Sequence, residues 1–110
     1  MAALAQRVTR VYLHIDLDVI DADYAPANSY ASPGGLQPDQ LLAAVRLITG
    51  QLPVVAAGIA AYDPALDGNG RLRIVALELL DLLAAMPARQ PLPKDHPLPE
   101  GNERPMRRTV

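Results

Sequence analysis

Cysteine, phenylalanine and tryptophan are absent from this 110-residue chain, and four tyrosines are its only aromatic residues. No disulfide or thiolate metal site can be built from such a sequence, and zero cysteine fits a reducing compartment. Apolar residues still make up 50% of the chain, so a core must be assembled from Leu, Val, Ile and Ala. The length provides for one domain at most, and a domain that small, without staples, buries proportionally little surface. Excess charge is lacking too. A net charge of −2 argues against the clustered basic surface of a nucleic-acid binder. No apolar run approaches the roughly 18–20 residues of a membrane span, and Met1 to Arg7 lacks the basic start and apolar stretch of a signal peptide. The expectation is a soluble cytoplasmic protein that engages neither nucleic acid nor membrane.

Composition shifts at Pro87. From Pro87 to Val110 there are six prolines, five basic and three acidic side chains in 24 residues. Such a segment buries too little apolar surface to offset its ordering entropy and reads as a disordered, polyproline-like tail. The expected division is therefore an ordered unit over 1–86 and a tail over 87–110.

Within 1–86 the pattern alternates. Val11 to Ile15 is a short β-rich run ending at Asp16, read as a buried strand. Asp21 to Gly35, rich in Pro, Gly, Asn and Ser, reads as a long loop, and long loops inside compact domains are usually functional. Pro38 suits a first helical position and Asp39 the positive helix end. Leu41, Leu42, Val45 and Ile48 then give an apolar face, with Gly50 as the stop. Pro53 to Ala60 reads as a second buried strand. Tyr62 to Gly70 is turn-rich, with Asp67 or Asn69 as a helix cap, and Leu72, Val75, Ala76, Leu79 and Leu83 recur at helical spacing up to Met86. The order β-α-β-α with near-continuous apolar strands predicts an α/β fold, a parallel sheet covered by helices on both faces. Two strands do not make a stable open sheet alone, so the pattern implies missing partners.

Chemistry is concentrated in His14-Ile-Asp16-Leu-Asp18-Val-Ile-Asp21. In an extended chain, residues two apart share a side. Asp16 and Asp18 are thereby aimed at one point beyond a strand's carboxyl end, where open α/β sheets place ligands. Two adjacent carboxylates repel unless a cation or proton intervenes, and a hard divalent metal is the natural partner. An isolated Asp-x-Asp pair is a weak signal whose plain reading is loop capping at a strand end.

The wider context is more specific. Asp16-Leu-Asp18-Val-Ile-Asp21, then Ala25-Pro26, Pro33-Gly34-Gly35-Leu36, Tyr62-Asp63-Pro64 and Asp67 together resemble the carboxyl-terminal part of the ureohydrolases, the arginase/agmatinase/formimidoylglutamase family. The resemblance covers Val11 to Leu83. It implies a binuclear manganese hydrolase on a three-layer α/β/α (arginase-like) fold, cleaving a C–N bond of a small linear guanidino or amidino substrate. A hydroxide bridging two Mn²⁺ ions is the nucleophile in such enzymes. By position, Asp16 resembles the carboxylate that bridges both metals and Asp18 the one that binds a single metal. Asp21 corresponds to a loop-organising residue, and Gly34 and Gly35 serve backbone geometry.

Departures are equally informative. The family's His-containing motifs, Gly-Gly-x-His and Asp-x-His-x-Asp, have no counterpart here. Ala61 stands where arginase-like members carry a substrate-binding Glu, Tyr30 where many carry a small hydroxyl residue, and Ala22 where a Pro follows the third Asp. The expectation is a fragment with part of a metal site, inactive in isolation, completed by a complementing N-terminal half or assembled as a homo-oligomer. A non-catalytic remnant or partner-stabilising subunit is the alternative. A third reading, an Asp-x-Asp phosphatase of the haloacid dehalogenase type, expects Gly-Thr where Val19-Ile20 stand, and ranks last. His14 reads as a strand histidine bonded within the sheet rather than a ligand, and His96 as solvated. Asp67 to Glu78 mimics part of a calcium loop, but Arg71 and Leu72 occupy positions that exclude it. Arg104, Arg107 and Arg108 read as a solvated tail.

Overall fold

The structure is a computed structural model that describes residues 1–86. The tail expected over 87–110, with His96 and its arginines, lies outside the described residues. Two strands, β1 (Val11–Asp16) and β2 (Val54–Ala60), run parallel. Their register runs from Tyr12 opposite Ala56 to Asp16 opposite Ala60, after a bulge that leaves Val55 out of the pairing. Parallel neighbours require a crossover, which α2 (Pro38–Gln51) supplies, and α3 (Arg71–Ala84) follows β2. A four-residue helix, α1 (Ala2–Ala5), buries no residue, and nothing in the sequence pattern announced it.

The start of α2 is over-determined. Pro38 takes the first helical turn, Asp39 faces the helix dipole, and Gln37 and Gln40 form a reciprocal capping box. The expected stop at Gly50 is displaced. The helix runs through Gln51, and the Leu52 N–H still donates to the Ile48 carbonyl. Glycine in a last turn costs only about 1 kcal/mol, whereas Pro53 lacks an N–H and forces its predecessor out of the helical region. Leu52 is accordingly extended, at φ −113° and ψ 150°.

Leu41 and Val45 of α2, Leu72, Val75 and Leu79 of α3, and Ile15, Leu17 and Ile20 around β1 form a single apolar cluster. Burying a leucine such as Leu72 or Leu79 completely stabilises by about 2 kcal/mol. Helices α2 and α3 also contact each other, so both lie on the face of the sheet that carries Leu13 and Ile15. The opposite face, with Tyr12 (63% exposed) and His14, is open. Helices were expected on both faces. Among the described residues there are two layers, not three, because every helical apolar stripe that packs does so on the same side.

Candidate metal-binding site

The carboxyl ends of β1 and β2 lie side by side, with Asp16 in register with Ala60. Past Asp16 the chain does not stay extended. Leu17–Val19 form a 3-10 turn capped by Asp16, whose Oδ1 accepts from the Asp18 N–H at 3.0 Å. Leu17 is buried and anchors the turn, while Asp16 and Asp18 are half-buried at its rim. The two-residue alternation of a strand therefore does not relate Asp16 to Asp18. Their adjacency comes from a tight turn closed by a side-chain cap, the arrangement that short Asp side chains favour at helix starts.

Loop 21–35 is organised by Asp21. Its carboxylate accepts from the N–H groups of Asp23 (2.9 Å) and Gly34 (3.3 Å) and from Gln37 Nε2 (3.3 Å). Main-chain bonds between Val19 and Leu36 (2.8 Å) and between Asp21 and Leu36 (2.9 Å) close the loop's base. Gly35 sits in that closure, where an added Cβ would lie 2.5 Å from the Val19 carbonyl oxygen and 2.8 Å from the Asp21 nitrogen. The Gly-Gly-Leu segment is thus explained by backbone packed on backbone.

A second loop rises from β2. Ala61 adopts φ +66°, a left-handed conformation that costs a residue with a Cβ about 1 kcal/mol or more. Asn28 holds it: its Nδ2 donates to the Ala61 carbonyl at 3.1 Å, while its Oδ1 accepts from the Tyr30 N–H at 2.8 Å. The Asp63 N–H adds a bond to the Ala27 carbonyl at 2.8 Å. The two loops are therefore laced together just past Ala60, the β2 residue in register with Asp16, and Tyr30 is 87% exposed. Asn28 escaped the sequence reading because an asparagine in a loop does not announce a partner 33 residues away.

Farther along the second loop, Asp67 is only 7% exposed. It accepts from the Tyr62 hydroxyl (2.8 Å) and from the N–H groups of Leu72 (3.1 Å) and Arg73 (3.0 Å), capping α3. Burial pushes its carboxyl up, but the Tyr62 hydroxyl and the two amides outweigh it and hold Asp67 below the usual carboxylate range. The hydrogen bond to Asp67, followed by burial, raises Tyr62 above an ordinary phenol. Asn69 caps as well, accepting from the Arg71 N–H at 3.2 Å. The cap position itself falls to Gly70, at φ +71°, so the two residues expected as caps bind the first-turn amides from upstream of it, and Asp67 serves a structural role.

His14 lies on the exposed face, and its ring has no hydrogen-bond partner among the described residues. The bond within the sheet expected for it is not formed, because the face it occupies carries no covering element. Among the described residues no three His, Cys, Asp or Glu side chains gather into a metal-holding group. Asp16 and Asp18 stand half-buried on the turn that ends β1.

Comparison with known proteins bears on the family and the fold. The Arginase family model matches residues 1–85. Formimidoylglutamase of Bacillus subtilis is 40% identical over 57 residues, 52% of this chain and 18% of that protein. Mitochondrial arginase 1 of Arabidopsis thaliana is 35% identical over 83 residues, 74% of this chain and 24% of that protein. Among solved structures, Helicobacter pylori arginase superposes with a TM-score of 0.65 at 26% identity, covering 71% of this chain and 26% of that one. A hypothetical agmatinase of Burkholderia thailandensis gives 0.61 at 30% identity, covering 74% and 28%. The chain spans between 18% and 28% of the length of these relatives. With a match that takes in residues 1–85 of its 110, the chain belongs to the arginase family.

Proposed function

We propose that this chain is one part of an arginase-family hydrolase that cleaves a C–N bond of a linear guanidino or amidino compound. In that reading Asp16 and Asp18 are two of the ligands to a pair of Mn²⁺ ions. The supporting observation is their position: both stand on a capped turn at the carboxyl end of a parallel strand, where α/β sheets bind their ligands. The remaining ligands belong to polypeptide beyond these 110 residues, as part of a three-layer α/β/α domain to which residues 1–86 contribute. The same similarity to named arginases, an agmatinase and a formimidoylglutamase supports the substrate class.

The donor set tests the fit. Two carboxylates are too few for two divalent ions that each want about six oxygen or nitrogen ligands, so the chain by itself does not fit a complete centre. When bound, manganese would acidify a water molecule. This chain's own residues orient rather than react. The Asp18 N–H fixes one oxygen of Asp16, Asp21 shapes the loop, and Asn28 pins Ala61 beside the rim. Ala61 offers a methyl where arginase-like members place a carboxylate, so a cationic guanidinium finds no counter-charge at that position.

Calorimetric titration of Mn²⁺ into the chain and into its Asp16→Asn variant is the test. Asparagine keeps the turn cap and removes the charge. Weak binding that the substitution abolishes supports the reading. Unchanged binding in the variant, or urea release from arginine or agmatine by the isolated chain at ordinary enzyme rates, contradicts it.

A further inference from the structure

Helices α2 and α3 leave a groove of about 570 Å³ between them, lined by Leu42 and Arg46 of α2 and by Glu78, Asp81, Leu82 and Ala85 on and just past α3. Arg46, Leu82 and Ala85 also line a second hollow of about 270 Å³, which carries the groove on to Met86. Met86 is the last described residue, so the chain leaves α3 at the mouth of this groove. Arg46, Glu78 and Asp81 on its walls are exposed, and the groove therefore opens outward rather than towards the sheet. Polypeptide that widens the sheet or covers its bare face adds beside or behind this helix layer. The outer surface of such a layer stays on the outside of a three-layer domain.

The lining is apolar at Leu42, Leu82 and Ala85 and acidic at Glu78 and Asp81, with Arg46 the one opposing charge. Neither carboxylate has an ion-pair partner among the described residues. The eight residues that follow Met86 match this lining. Pro87-Ala-Arg-Gln-Pro-Leu-Pro-Lys94 carries Arg89 and Lys94, no acidic residue, and one large apolar side chain, Leu92. Acidic residues begin only at Asp95. The prolines at 87, 91 and 93 restrict the free chain, so docking it loses less entropy. Length suffices as well. Eight residues in polyproline form span roughly 25 Å, whereas α3 rises only about 10 Å between Glu78 and Ala85, which leaves chain for a reversal after Met86.

We propose that residues 87–94 turn back after α3 and lie in this groove, with Leu92 packed against Leu42 and Leu82 and with Arg89 and Lys94 beside Asp81 and Glu78. The segment is then a strap that ties the end of α3 to α2, and the tail read from composition is confined to 95–110. Leu92 anchors the contact by burying apolar surface. The paired charges, screened where they are exposed, fix the direction in which the strap runs rather than its strength.

The chain has no cysteine, so His96→Cys takes a nitroxide label at one position, just past Lys94. With the strap docked, the label sits at the far end of the groove, and the amide signals of Leu42 and Glu78 in the isotope-labelled chain are lost first. A segment tethered only at Met86 broadens the last turn of α3 most, and that result overturns the proposal. Glu78→Arg with Asp81→Arg, two exposed sites, is expected to abolish the loss at Leu42. Adding Arg89→Glu and Lys94→Glu to the same chain is expected to restore it. Circular dichroism checks that each variant keeps its helix content. A loss at Leu42 that charge reversal leaves unchanged overturns the proposal, as does one that the nitroxide-bearing chain imposes on a separate, isotope-labelled copy without the label.

Discussion

Replacing Asp67 with alanine removes three hydrogen bonds at once, those from the Tyr62 hydroxyl and from the Leu72 and Arg73 amides. A hydrogen bond to a charged acceptor contributes roughly 1.5–3 kcal/mol, and a lost helix cap costs about 1 kcal/mol. The Arg73 amide sits at an exposed residue and regains water, whereas Leu72 is fully buried and its amide stays poorly solvated. Weighing these, Asp67→Ala should destabilise by about 3 kcal/mol. A folded unit of residues 1–86 holds roughly 4–13 kcal/mol in all, so the loss is a large share. Urea unfolding followed by helical circular dichroism, at one fixed protein concentration, reads it directly. With a slope near 1 kcal/mol per molar, the midpoint should fall by about 3 M, or the variant should be unfolded in buffer. Tyr62→Phe, which keeps both amide bonds, should lose clearly less. A midpoint within about 0.5 M of the native value for Asp67→Ala would show that this network does not hold α3 in place.

Acid and base should each erode the same network. The Asp67 carboxyl is held below its unfolded value of about 4, so its contribution is present above that pH and disappears as pH falls through the folded value. Tyr62 is raised above about 10, so its contribution is present below that pH and is lost as pH rises through the folded value. Asp67→Asn should flatten the acid limb of stability against pH, and an unaltered limb would contradict the assignment. Gly35→Ala should cost about 2–3 kcal/mol, because its methyl meets the Val19 carbonyl and the Asp21 nitrogen; an unchanged midpoint would refute that packing. Ala61→Gly should stabilise by about 0.5–1 kcal/mol by relieving a left-handed alanine, and a destabilised variant would show that the conformation is not strained.

Local signals carried most of the fold. Val11 to Asp16 and Pro53 to Ala60 read as strands because β-branched and apolar residues dominate them, and Pro38 with Asp39 marked a helix start. The end of α2 was misread because Gly50 drew attention from Pro53, whose restriction on Leu52 is the stronger stop. Asp21 and Asp67 were legible in kind, as a loop organiser and a cap, since short carboxylates at those spacings bind nearby amides. Strand alternation does not relate Asp16 to Asp18, because the chain leaves the strand at Asp16 for a 3-10 turn that Asp16 caps. Neither the left-handed Ala61 nor its bond from Asn28 has a local sequence signature. The single-sided helix packing was equally hidden, because an apolar stripe on a helix does not say which face of a sheet it covers.

The central claim is that a divalent ion is gripped at the rim formed by Asp16 and Asp18, and paramagnetic broadening locates such an ion most directly. Substoichiometric Mn²⁺ added to the isotope-labelled chain should erase the amide signals of Asp16, Leu17, Asp18 and the neighbouring Ala60 and Ala61 first, with the effect lost in Asp16→Asn. Broadening centred on Asp67, on the carboxylates beyond Pro87, or spread evenly over the chain would contradict the account.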